Sequence, residues 1–371
     1  MKTNLINCTS TSRLILTASA AALCAFTVLT ARVHASTLAY TVTDLGNLGV
    51  AGAWALGVND SGLATGYAFT PGFATHAVQF GGVGDLGSLS GSNSYGYGIN
   101  ASGQIAGWSY LSGLSNPHAV RWTGTTLEDL GTLGGSQSRG YGVNASGQVA
   151  GASVTTGDIF SHAVRWTGTT PEDLGTPLDA STSGAFGINA SGQVAGFSGG
   201  YAIRWTGTTP TLLNSLGGNS NGGYAINASG QVAGYSQDSL GGNHAVVWTG
   251  STPTDLGAAD PGGFGINDSG DVVFTANAVP MLYTGGTTYD LFSLLVPGSG
   301  VTGLGFGDGS GFVGNDINNL GQIAAVASYG GGQPHAVLLT PVATPEPASA
   351  VLLLGGATAL LTRRRRTPAC V

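Results

Sequence analysis

From Ala39 to Thr340 the chain alternates short apolar runs with tight polar breaks, and the same alternation keeps returning. Within Arg139–Gly175 the order is "RGYGVN", "QVAGASV", "HAVRWT" and "PEDLG". Each run is short, rich in Val, Tyr, Trp and Thr, and bounded by Gly, Asn or Thr, which is how strands are written. The first break is "NASG", in which Asn opens a turn and Gly takes the left-handed position that follows. "WTGTT" makes the second tight hairpin. Each unit therefore predicts four short antiparallel strands.

The unit recurs with its Asn at Asn59, Asn100, Asn144, Asn189, Asn227, Asn267 and Asn318, at spacings of 41, 44, 45, 38, 40 and 51 residues. Four strands in about 40–45 residues is the size of one β-propeller blade. The ends of the repeat region fit a closed ring. "YTVTDLG" (Tyr40–Gly46) is a fourth strand lacking its first three, while the last unit, "FVGNDIN", "QIAAVAS" and "HAVLLT", stops without a fourth. The expected fold is thus all-β, a seven-bladed propeller of four-stranded antiparallel blades in which the N-terminal strand completes the last blade and removes an exposed edge. Within the first strand of each unit, large residues (Leu56, Tyr97, Tyr141, Phe186, Tyr224, Phe264) alternate with small ones (Gly57, Gly98, Gly142, Gly187, Ala225, Gly265). That asymmetry suits sheets that nest face to face around an axis.

Over Ala39–Thr340 the His-Ala-aromatic, Asp-Leu-Gly and Asn-x-x-Gly-Gln landmarks resemble the HAF repeat of bacterial extracellular proteins. The sixth unit departs most, with "VPMLYT" and "YDLF" in place of "HAVRWT" and "EDLG". The resemblance implies a secreted location and no known reaction.

Both ends differ from the repeats. Lys2 and Arg13, the apolar run Leu14–Ala31 and "VHA" at Val33–Ala35 read as a secretory signal over residues 1–35, with an uncleaved anchor as the alternative. Residues 36–343 form the repeat body. In residues 344–371, Pro345-Glu346-Pro347 precedes an apolar run, Ala348–Thr362, and then Arg363, Arg364, Arg365 and Arg366. The run is short for a stable span of about 20 residues, and the arginines would hold it on the cytoplasmic side. This order resembles the PEP-CTERM sorting signal of Gram-negative bacteria. It implies recognition by an exosortase, transient inner-membrane anchoring through the apolar segment, and an exopolysaccharide or biofilm setting at the cell surface or in the extracellular matrix.

Removing both ends leaves a body with no cysteine, since Cys8, Cys24 and Cys370 lie outside it. It keeps four arginines against 17 carboxylates, a net charge of −13 that repels phosphate backbones and excludes nucleic acid as a partner. No catalytic constellation, cofactor motif or metal site is assigned. His76, His118, His162, His244 and His335 occupy one repeat position on the third strand, away from the axis, and are read as structural. Trp122, Trp166, Trp205 and Trp248 are read as inter-blade packing, and the Asp of "DLG", replaced by Leu212 in the fourth unit, as a turn residue. Arg121 with Glu128, and Arg165 with Glu172, are placed to pair across a hairpin. "GDGSGFVGNDINNLG" (Gly307–Gly321) offers calcium-type oxygens, but its second half is the repeat's own turn.

The irregular segments are the second-to-third loops and the blade-to-blade loops, at the end of the ring opposite "NASG". Irregular loops on a rigid scaffold are where recognition usually resides. Tyr110, Asp158, Phe160 and Asp238 are the candidate ligand-face residues there. The leading expectation is a non-enzymatic, exported protein binding exopolysaccharide or another envelope component. The alternatives are a carbohydrate-active hydrolase or lyase with acids in the channel, and a structural surface protein without a specific ligand.

Overall fold

The repeat turn is built around its Asn. In the third unit Asn144 Oδ1 accepts from the backbone N–H of Ser146 (3.2 Å) and Gln148 (2.9 Å), while Gly147 takes a φ of +78°. The turn reverses the chain tightly, and a four-stranded antiparallel sheet follows in which sequence neighbours are spatial neighbours. A computed structural model describes residues 38–342 apart from 51, 91–92, 113–115 and 308–316.

Seven such sheets make a seven-bladed propeller. Blades 1 to 6 span 53–85, 94–129, 134–173, 183–212, 217–259 and 261–290. Blade 7 combines Gly303–Gly305, Ile323–Ser328 and His335–Pro341 with Tyr40–Asp44, the N-terminal strand, which pairs in register from Tyr40↔Pro341 to Asp44↔Val337. The expected closure is present. Among the described residues the only helical turns are Pro177–Asp179 and Phe292–Leu294, and no helix is long and apolar enough to cross a membrane. The signal segment, the sorting segment and its Pro-Glu-Pro and Arg residues lie outside the described residues.

Blade 7 departs from the expected layout. Its inner strand starts at Gly303–Gly305, upstream of the "FVGNDIN" expected to form it, with Gly305 opposite Val326 and Ile317 bridging Ile323. Gly305 and Ile317 thus take the register positions that Tyr95 and Ile99 hold in blade 2. A Gly-Leu-Gly strand pairs through its backbone alone and shows no alternation to read.

The inner strand of blades 1 to 6 carries a register shift that the sequence pattern did not show. In blade 2 it falls between Gly96 and Gly98, so Tyr97 is the extra residue of a β-bulge. The carbonyl of Tyr95, just before the bulge, lies close against the next strand, where a Cβ added to Gly107 would meet it at 1.9 Å. The large bulge residues do not enter their neighbour's glycine position. They meet one another around the inner edge of the blades, with ring centroids 5.5 Å apart for Tyr97 and Tyr141 and 5.3 Å for Tyr141 and Phe186. The glycines instead face neighbouring backbone: a Cβ on Gly98 would lie 2.6 Å from Tyr141 O.

Outward from this ring, each repeat landmark ties one blade to the next. Ala119 N donates to Ser138 Oγ of the following blade (2.8 Å), and Ser138 Oγ donates to Gly131 O (2.7 Å). Trp122, 1% exposed, donates from Nε1 to Leu86 O of the preceding blade (3.0 Å), as Trp205 does to Leu174 O and Trp248 to Asn214 O. Arg121, Arg165 and Arg204 reach Gly147 O, Gly192 O and Gly230 O of the next blade, and the expected Arg121–Glu128 and Arg165–Glu172 pairs form across their hairpins.

At the rim, the repeated His meets the repeated Asp. His118 Nδ1 lies 2.9 Å from the Asp129 carboxylate, whose Oδ1 also accepts from Gly131 N (2.8 Å). In blade 7 the same pair is His335 and Asp44 (2.8 Å), so the N-terminal strand supplies the missing partner. The structural reading of both positions stands.

Candidate functional site

The channel has two unlike ends. At the turn end lies a cavity of about 200 Å³, lined by the seven repeat Asn and by the Val or Ile that precedes each. The Asn side chains are not free to bind. Asn59 Nδ2 donates to Asn100 O (3.0 Å), Asn100 to Asn144 O (2.9 Å), and Asn144 to Asn189 O (3.2 Å). Asn189, Asn227 and Asn267 continue the series to Asn318, whose Nδ2 returns to Asn59 O (2.8 Å). The result is a closed ring of seven side-chain-to-backbone bonds, one across each blade boundary. Two carboxylates stand at this mouth, and both are engaged: Asp60 accepts from Asn319 N (2.8 Å) and Asp268 from Ala228 N (2.8 Å).

Toward the opposite end the inner two strands carry an arc of aromatic rings. It is set by two repeat positions, five residues before the Asn and eight after it, which pair across the first hairpin. Blade 1 has Trp54 with Tyr67, stacked at 4.8 Å, and blade 2 has Tyr95 with Trp108 at 4.1 Å. Tyr67 meets Tyr95 at 5.0 Å, which joins the two blades. Blades 4 and 5 contribute Phe197 and Tyr235, each opposite a glycine. Blade 6 carries Gly262 and Thr275 at these positions, and in blade 7 the residue opposite Val326 in the strand register is Gly305. Trp54, Tyr95, Trp108, Phe197 and Tyr235 are half-buried: each packs one side against the inner ring and keeps some surface in solvent.

Blade 3 breaks the arc. Its two positions hold Arg139 and Ala152, and a cavity of about 240 Å³ opens beside them. The Arg139 guanidinium lies 5.6 Å from the centre of the Trp108 ring, within cation–π range. Burial raises the Tyr141 phenol, against the opposing charge and hydrogen bond of Arg139. Burial also pushes the Tyr224 phenol up to about 12, with Tyr235 adding to the shift. Both phenols stay protonated donors at physiological pH.

The four candidate residues fall into different roles. Tyr110 is half-buried and stands edge-on to Trp108 at 5.4 Å, so it extends the arc. Asp158 sits at φ +56° and accepts from Ser136 N at 2.6 Å, shaping its loop. Phe160 is 44% exposed on that loop. Asp238 accepts from Gly242 N and Leu240 N (2.8 Å each) and meets His244; the Gly242 bond leads in holding its carboxyl below the usual range. Tyr110 alone joins the ring system. Sequence reasoning missed Trp54, Tyr67, Tyr95, Trp108, Phe197, Tyr235 and Arg139. The signal was present in the two positions that differ between otherwise matching units. Among the described residues no group of three or more His, Cys, Asp or Glu could hold a metal ion.

The fold and the arc define a propeller with one hydrogen-bonded end and one aromatic end. No protein-family profile matches the chain, and no curated protein matches it. Solved structures do resemble it in shape. "YCF48 bound to D1 peptide" is 13% identical with a TM-score of 0.44, covering 83% of this chain and 96% of that one. SapL1 lectin in complex with alpha methyl fucoside is 12% identical with a TM-score of 0.33, covering 80% and 98%. The Aleuria aurantia lectin in complex with Fucalpha1-6GlcNAc is 12% identical with a TM-score of 0.34, covering 84% and 98%. Likeness at this level carries nothing about ligands.

Proposed function

We propose that this protein is an exported, non-enzymatic propeller that binds a glycan of the cell envelope or exopolysaccharide at the aromatic end of its ring. The half-buried arc from Trp54 to Trp108, extended by Tyr110, carries the reading. Partly exposed rings held rigid on strands suit the apolar surfaces of sugars, and the phenol and indole edges supply directed hydrogen bonds. A hydrolase or lyase would need a pair of carboxylates free to face a cleft. Asp60 and Asp268 each accept a main-chain N–H instead, which favours binding over catalysis. A purely structural protein would have no use for solvent-facing aromatics at one end only.

The resemblance of Pro345–Pro347 and Arg363–Arg366 to a PEP-CTERM tail supports export, exosortase processing and a surface or matrix destination. Mass spectrometry of protein recovered from the host surface should show loss of the Arg cluster, and an intact C-terminus there would refute processing. For binding, the purified protein is screened on a polysaccharide array with reducing-end release measured alongside. Trp108→Ala and Tyr110→Ala should weaken the captured glycan at an unchanged melting temperature. Reducing-end release, or binding untouched by Trp108→Ala yet lost on substitution in the "NASG" turns, would overturn the proposal.

A further inference from the structure

The interruption in blade 3 is itself a built pocket. Where blade 2 places Trp108 and blade 4 places Phe197, blade 3 has Ala152, and the missing ring leaves the cavity of about 240 Å³. That is just below the ~300–1,000 Å³ of drug-sized sites, a size for one sugar unit rather than several. Tyr141 and Ala152 give it apolar surface, Gln137, Ser153 and Ser161 give it polar edges, and Arg139 gives it charge.

Arg139 differs from the chain's other described arginines. Arg121, Arg165 and Arg204 project from third strands and spend Nη1 on the next blade's turn carbonyl. Arg139 projects from a first strand, lies on Trp108 and hydrogen-bonds Tyr141. Among the described residues no ion pair to a carboxylate forms at it or at Arg204, and its Nε, like those of Arg121 and Arg204, is buried without a hydrogen-bond partner; what sets Arg139 apart is the cavity beside it. An orphaned buried N–H is costly, and an incoming acceptor would relieve it. No Asp or Glu lines the cavity, although the repeat body carries an excess of 13 acids.

We infer that the blade 3 pocket binds a sugar carboxylate: Arg139 takes the carboxylate of a uronate unit while neighbouring neutral sugars lie along the aromatic arc. The inference rests on the glycan-binding reading above. Guanidinium and carboxylate match as a planar fork, and the Trp108 face beneath fixes the guanidinium plane. The acidic body limits the class further. A densely charged polyuronate is repelled beyond the reach of one arginine, whereas a polymer with one acid among several neutral sugars is repelled far less. Physiological salt screens that residual repulsion over about 8 Å.

The test uses the purified protein at physiological ionic strength and two immobilised probes. One is a polysaccharide with a single glucuronate in each otherwise neutral repeat, and the other is the same polymer after its carboxylates are reduced to alcohols. Wild type should bind the acidic form at least about tenfold more tightly, as expected for one charge-assisted contact. Arg139→Gln should bind both forms alike. Ala152→Phe, which restores the ring that blade 4 carries, should also abolish the preference while keeping the melting temperature, so a folding defect in the first variant leaves the test intact. Equal binding of both forms by wild type, or a preference that survives Ala152→Phe, overturns the pocket but leaves glycan binding standing. Binding of neither form, here and on the wider array, overturns both.

Discussion

Replacing Asn144 by Ala tests whether the closed Asn ring holds the blades together. Asn144 is 4% exposed, and its amide makes five bonds. Nδ2 donates to Asn189 O across the blade boundary and to Gln148 Oε1, while Oδ1 accepts from Ser146 N, Ser146 Oγ and Gln148 N. At a net ~0.5–1.5 kcal/mol each, the bonds would sum to several kcal/mol. Asn189 O keeps the bond from Gly192 N, however, and the adjoining cavity can admit water, so the expected loss is about 2–4 kcal/mol. For a domain of this size that lowers the melting temperature by roughly 3–6 °C. Guanidinium denaturation of Asn144→Ala beside Ser146→Ala gives the comparison, because Ser146 Oγ makes a single bond and should cost under about 1 kcal/mol. Asn144→Asp sharpens the case. It turns an anionic oxygen toward Asn189 O and Gln148 Oε1, so it should be worse than Ala at pH 7 and recover as pH falls and the acid gains a proton to donate. Equal effects of Asn144→Ala and Ser146→Ala would refute the ring as a source of stability.

Two further predictions probe closure and the bulge. Deleting residues 36–46 removes the whole outer strand of blade 7 and should lower the melting temperature of the entire body in one transition, whereas Asp44→Ala, which removes one exposed ion pair, should cost under about 1 kcal/mol; an unchanged melting temperature for the deletion would sink ring closure. Gly107→Ala would drive a methyl into Tyr95 O and should cost about 3 kcal/mol or more by calorimetry, against about 1–2 kcal/mol for Gly124→Ala, which meets nothing but must keep φ at +58°; the reverse order would mean that the bulge does not constrain the second strand.

The ring was legible because its cause is periodic. "NASG", "WTGTT" and an unpaired strand at each end of the repeats were enough to count blades and close them. The bulge was not legible, since it depends on which carbonyl of one strand lies against which glycine of the next, as Tyr95 O lies against Gly107. The His–Asp pairing could have been read: the fourth unit has Tyr201 and Leu212 at the two positions, so both partners are lost together. The sixth unit keeps Asp290 without a His, and there the Asp still accepts a backbone N–H, from Phe292. The turn role of Asp is therefore independent of its His. The aromatic arc escaped for the opposite reason. Trp54, Tyr95, Arg139 and Gly184 occupy one position and share no chemistry, so comparison of the units discards them as noise.

That discarded variation is where binding capacity remains. Polar groups at the regular positions are largely satisfied inside the ring: Asn Nδ2 by the next Asn, Ser Oγ by the next blade, Trp122 Nε1 by the previous exit loop, His by Asp. A group satisfied in this way gains little from a ligand, because binding would only exchange one hydrogen bond for another. The positions that differ between blades face the channel's open end and are not tied to a neighbour by the repeat. They carry paired rings in blades 1 and 2, a lone ring in blades 4 and 5, none in blades 6 and 7, and a cation beside a gap in blade 3. A ring of identical blades would present the same surface seven times. This one presents a directional surface, with the stacking rings of blades 1 and 2 running up to the cation, which is what the proposed binding of a chain of unlike sugars calls for.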